Sequence, residues 1–164
     1  MALVVTLCLF AQIALALPEG AVAPDCTLSP LAGGKAVDLS KYRGDVVYID
    51  FWAASCGSCA KSFPFLNGLH RKFQGRGLHV VGVNQDKNVD DAKRFLAKFP
   101  ASFVVAADTS KQCAKEYDVK VMPSAYIIDR KGIVRHIHWG FGPGEAEALR
   151  ALVEGMLDDK ADSL

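Results

Sequence analysis

The chain is poor in the features that most directly announce a function. Its 19 basic and 18 acidic residues leave a formal charge of +1, with both signs mixed along its length. That balance excludes a nucleic-acid or polyanion surface as the main function, and it gives no single-sign field for steering. Five cysteines in 164 residues are too few for a disulfide-stapled scaffold. Only one Cys-x-x-Cys occurs, with no second such pair and no Cys/His pair at suitable spacing, so a four-ligand zinc site is disfavoured. Repeats and low-complexity segments are missing. Met1 to Leu17 contains no charge, but a run this short is marginal for a membrane span.

The length fits one domain with room for a core. Ala14-Leu15-Ala16 has the small-x-small form of a signal-peptidase site, although no basic region precedes it. Residues 1–16 are therefore read as a signal peptide, with an uncleaved anchor as the alternative. The location expected is periplasmic or otherwise extracytoplasmic. Residues 17–24 are read as a linker and 25–160 as the folded domain. Cys8 is a bland member of the apolar run.

Hydrophobic periodicity divides the remainder. Two short segments around Ala32-Gly33-Gly34-Lys35 predict a hairpin. Asp45 to Trp52 is a nearly continuous apolar run, as a central strand requires, and past Asp45 at its start Asp50 is the one charge in it. Cys56 to Gln74 predicts a helix, bent at Pro64, with Phe63, Leu66, Leu69 and Phe73 on one face. Strands over 78–83, 102–106, 124–128 and 132–138 and helices over 90–99, 110–117 and 144–157 complete the order hairpin, βαβαβα, ββα. This is an α/β chain with a mixed sheet and helices on both sides.

Cys56-Gly57-Ser58-Cys59 stands at the junction of that central strand and its helix. Helix-terminal N–H groups and the helix dipole favour a thiolate at Cys56, and the thiolate is the attacking species in thiol–disulfide exchange. Cys59, one turn on, is the resolving thiol. Asp50 precedes Cys56 by an even number of residues and should point inward beneath the sulfurs. Poor solvation there raises its pKa and suits it to accept the Cys59 proton. Cys26 and Cys113 read as small apolar fillers, with a bridge between them left open. His136 and His138 share a strand face but lack a third ligand, so solvated or core histidines are favoured over a metal pair. Lys61 and Arg71 read as surface charges.

Asp50-Phe51-Trp52-Ala53 before the motif, Pro64 five residues after Cys59, and Val121-Met122-Pro123-Ser124 opening a late strand resemble thioredoxin-fold proteins. Ala23-Pro24-Asp25-Cys26-Thr27-Leu28, Leu39 to Gly44, Val81 to Asp86 and Tyr126-Ile127-Ile128-Asp129 narrow the resemblance to the TlpA-type branch, with its ResA- and CcmG-like members and its relation to AhpC/TSA redoxins. The branch implies a thioredoxin-like sheet with an N-terminal β-hairpin and an inserted βα unit. It implies a cis peptide at Pro123, with Met122 lining a substrate groove and Trp52 walling the site. It also implies an exported thiol:disulfide oxidoreductase that acts on protein thiols, apocytochrome c among the candidates, and is kept reduced by a membrane electron donor. No organic cofactor or metal is implied, because the two sulfurs are the redox centre. Ser55, Ser58, Ser62 and Cys26 depart from the branch's usual residues, which leaves partner and redox poise open. A Cu(I)-binding thiol module and a disulfide oxidant of the same fold are the alternatives. The Pro-x-x-x-Thr/Ser-x-x-Cys pattern of a peroxidase is absent.

Overall fold

The apolar run at the centre of the sequence forms the middle of a sheet. In the computed structural model, which describes residues 16–31 and 33–159, strand β3 spans Val46–Trp52 and is buried along its whole length. It follows a hairpin of β1 (Thr27–Pro30) and β2 (Val37–Asp38), joined to it through a short 3-10 turn. Then come helix α1 (Gly57–Phe73), β4 (Leu78–Asn84), α2 (Val89–Lys98), β5 (Val104–Ala107), α3 (Gln112–Glu116), β6 (Ser124–Ile128), β7 (Val134–Trp139) and α4 (Glu145–Asp158). The element order matches the sequence reading, with ends shifted by a residue or two.

The seven strands lie in the order β2-β1-β5-β4-β3-β6-β7. β3 pairs parallel with β4 and antiparallel with β6. Alternate residues of a strand face opposite sides, and β3 uses both. Val46, Tyr48 and Trp52 pack with Cys59, Phe63 and Leu66 of α1, Phe95 of α2 and Val153 of α4. Val47, Ile49 and Phe51 pack with Leu39, Cys113 and Tyr117 on the other side. Asp50 is therefore on the α1 side. Pro64 is exposed on α1 and does not end it. Gly82 of β4 lies beside Asp50 in register, and a Cβ there would come within 3.1 Å of Trp52 Nε1 and of Phe103.

One boundary needs correction. Residues 17–24, expected as a linker, are attached to the body. Gly20 N–H donates to Val134 O at 2.7 Å, Val134 N–H to Ala21 O at 2.9 Å, and Ala23 N–H to Gly132 O at 2.8 Å. Arg43 clamps the same stretch, donating to Ala23 O at 3.0 Å and to the Asp25 carboxylate at 2.7 Å. Polar and small residues without periodicity can be fixed by backbone pairing alone, which leaves no hydrophobic pattern to read. Apart from Ala16, the proposed signal segment lies outside the described residues.

Candidate active site

The redox motif is placed by the end of β3 and the start of α1. Ala53, Ala54 and Ser55 make the turn, and Cys56 N–H closes it by donating to Ala53 O at 3.1 Å. The Asp86 carboxylate fixes this turn from the β4–α2 loop, accepting the Ala54 N–H at 2.9 and 3.2 Å. Asp86 is itself held by Asn84 Nδ2 at 2.7 Å, and Asn84 is fully buried. Asn84 and Asp86 were read from the sequence only as part of a family pattern. Their role in positioning the turn comes from the fold.

Cys56 is the N-cap of α1, and its Sγ accepts the Cys59 N–H at 3.2 Å. Cys56 is half-buried and Cys59 wholly buried. Their sulfurs are joined in a disulfide, with Cα atoms 5.3 Å apart. Ser58 Oγ sits 3.6 Å from Cys56 Sγ. When the bond opens, charge on the Cys56 sulfur meets an aligned N–H and the positive end of a long helix, both of which stabilise a thiolate. Ser62 donates to Cys59 O at 3.0 Å, so this side chain serves the helix backbone.

Asp50 is 2 % exposed, and its Oδ2 has no hydrogen-bond partner. Burial alone pushes its pKa up to about 8. Tyr48, two residues back on the same face, is raised first by its own burial and then by the charges of Asp50 and Glu145. A carboxyl group that is neutral until mildly alkaline pH can both give and take a proton near neutrality.

The Met122–Pro123 peptide is cis. Ser124 pairs with Phe51 in the antiparallel β3–β6 register, so Pro123 and Met122 lie at the C-terminal end of β3, the end that leads to Cys56. Met122 is 38 % exposed. Trp52 is a correction: it has no exposed surface and packs 5.1 Å from the Phe63 ring and 4.8 Å from the Phe95 ring. It supports the site from behind, out of a substrate's reach, because α2 covers the face on which it lies.

Cys26 and Cys113 are a second correction. They form a disulfide with Cα atoms 5.6 Å apart, and both are buried. β1 pairs with β5, and β5 leads into α3, so sheet order brings together two residues 87 apart in sequence. Asp108 seats this end of α3 by accepting the Ala114 N–H at 2.8 Å. The local sequence carries no sign of the pairing; only the even cysteine count after signal removal hints at it. His136 and His138 stack at 6.1 Å. His136 lies 3.1 Å from a Glu19 oxygen, and His138 3.3 Å from a Glu145 oxygen. Among the described residues, no group of three or more His, Cys, Asp or Glu side chains is arranged to hold a metal ion.

A family model described as Redoxin matches residues 18–152. The DipZ protein of Mycobacterium tuberculosis is 34% identical over 132 residues, 77% of this chain but 19% of DipZ. The thiol-disulfide oxidoreductase ResA of Bacillus subtilis is 31% identical over 116 residues, 71% of this chain and 64% of ResA. The chain thus spans about a fifth of DipZ and just under two thirds of ResA. Among solved structures, one from Chlorobium tepidum, assigned as the thiol:disulfide interchange protein DsbE, is 44% identical with a TM-score of 0.82. That match covers 87% of this chain and 99% of the other. The family match spans the turn, both motif cysteines and the cis-proline strand.

Proposed function

This chain belongs to the Redoxin family, in its thioredoxin-fold branch of ResA- and DsbE-like thiol:disulfide oxidoreductases, and from that premise we propose that it exchanges disulfides with protein partners outside the cytoplasm through Cys56 and Cys59. The carrying observation is the asymmetry of the pair. One sulfur is reachable and accepts a helix-terminal N–H, while the other is sealed one turn away.

The steps follow from that asymmetry. The reduced Cys56 thiolate attacks a partner disulfide; one partner sulfur leaves as a thiolate and takes a proton from water. Cys59 gives its proton to the Asp50 carboxylate and attacks Cys56 Sγ. The second partner thiolate is released, and the chain is left with the Cys56–Cys59 disulfide. Two electrons have passed to the partner. A dithiol donor reverses the same steps to restore the reduced form. The ResA and DsbE likenesses support the exchange, and the family pattern favours the reductase direction with a membrane donor. Export is supported by the buried Cys26–Cys113 bridge, since such bonds persist in oxidising spaces.

In cells, Cys59→Ser should accumulate a mixed disulfide through Cys56, and Cys56→Ser should accumulate none. Identification of the captured proteins by mass spectrometry tests the role. Apocytochromes among them place the protein in cytochrome c maturation, and a broad mixture places it in general thiol control. Equal capture by both variants would refute exchange through Cys56.

A further inference from the structure

Away from the cis-proline, the α1–α2 side of the molecule carries a cleft that the exchange chemistry does not use. It starts beside Ala54 in the turn before Cys56 and runs past Pro64, over a floor made by Phe63 and Phe95. Phe99, 37 % exposed, stands in the middle. Its neighbours hold it in place. Phe99 N–H donates to Phe95 O at 2.9 Å, and the two rings lie 4.9 Å apart. Asn67 of α1 fixes the following turn, donating to Pro100 O at 2.8 Å and accepting from Ser102 N–H at 2.7 Å and Ser102 Oγ at 2.9 Å. An exposed ring that is already immobilised loses little entropy when covered, as binding anchors require.

Arg71, Arg94 and Lys98 rim the cleft, against a single carboxylate, Asp91, which is paired with Arg94. Arg71 and Lys98 have no ion-pair partner among the described residues. The rim therefore has two cations to spare around an apolar floor. With a rise of about 1.5 Å per residue, Pro64 and Arg71 lie about 12 and 22 Å along α1 from Cys56. An extended chain covers those distances in about four to seven residues.

We propose that this cleft docks the flanking chain of the redox partner: an extended segment carrying carboxylates and one apolar side chain, about four to seven residues from the cysteine that joins Cys56. The proposal rests on the exchange reading above and names what that site selects. The carboxylates pair with Arg71 and Lys98, and the apolar side chain covers Phe99.

The test uses the reduced full chain and synthetic peptides bearing one cysteine as its 2-thiopyridyl disulfide. Attack by Cys56 on the peptide sulfur forms the mixed disulfide and releases coloured pyridine-2-thione. One peptide carries two Glu and a Leu at the stated spacing, on either side of the cysteine in separate versions; its control carries Lys for Glu. The acidic peptide should react about tenfold faster than the control at low salt, and the preference should vanish or reverse in Arg71→Glu/Lys98→Glu. Phe99→Ser should slow the acidic peptide several-fold. All of these proteins should react with neutral 2,2′-dithiodipyridine at the wild-type rate, which also shows that they are folded. Equal rates for the two peptides, or variants that slow dithiodipyridine as much as the acidic peptide, would overturn the docking proposal. Sedimentation with phosphatidylglycerol vesicles that is lost in Arg71→Glu/Lys98→Glu, with peptide rates unchanged, would reassign the cleft to a membrane surface and overturn it too. A wild-type chain no faster than Cys56→Ser on dithiodipyridine would instead remove the exchange reading on which the proposal stands.

Discussion

At pH 9 the disulfide form of Asp50→Asn should resist denaturant far better than the wild type, and at pH 4 the two should unfold together. The cause is the burial of a carboxyl group whose Oδ2 has no partner. Its pKa rises from the ordinary 3.8 to about 8 in the folded chain. Between those values the folded state holds a proton that the unfolded state has released, so stability falls as pH rises. Its contribution is fully present below about pH 4 and is lost as pH climbs through about 8. Four pH units at 1.36 kcal/mol each give a difference of roughly 5 kcal/mol at the alkaline end. Asparagine stays neutral and escapes the slope. Urea unfolding followed across this range checks it, and parallel pH profiles for the two proteins would rule out a buried, proton-holding Asp50. The same variant should slow the attack of Cys59 on a mixed disulfide by about 10²-fold, while the first attack by Cys56 changes little. Stopped-flow mixing separates the two phases, and equal losses in both would discredit the proton role.

Removing the second bridge should cost nearly as much. Cys26 and Cys113 enclose 87 residues of sequence separation, and closing a loop of that size in the unfolded chain corresponds to about 4.6 kcal/mol in the chain-entropy treatment. The double variant Cys26→Ala/Cys113→Ala should therefore unfold at markedly lower denaturant. Since both sulfurs are buried, a reductant that opens Cys56–Cys59 should leave this bond intact until the chain unfolds. Alkylation and mass measurement of the native protein in dithiothreitol should find two new thiols. Four would show that the bridge is reached without unfolding, and an unchanged unfolding midpoint in the double variant would deny it a structural role.

What the sequence disclosed depended on how local each cause was. The run from Val46 to Trp52 announces a central strand because both of its faces are buried, and Asp50 reveals its side by counting along that strand. Cys56 at a helix start follows from the same junction. The counting that placed Asp50 also puts Trp52 on the α1 side, but only the packing of Phe95 from α2 shows that the indole is covered there. The Cys26–Cys113 bond was illegible for a different reason: it depends on β1 lying beside β5, a pairing made across the whole sheet. The fastening of residues 20–23 by backbone hydrogen bonds is written in no side chain at all. The cis form at Pro123 came from resemblance, since a proline by itself leaves the trans form favoured.

The fastening of Gly20 to Ala23 against Gly132 and Val134, where β7 begins, has a consequence for the sheet's margins. A long bare sheet margin recruits extended chain as an extra strand. Here the start of one margin is already taken by the protein's own N-terminal stretch, and the other ends in β2, only two residues long. Both margins thereby offer an incoming extended chain less to pair with than a long bare strand would.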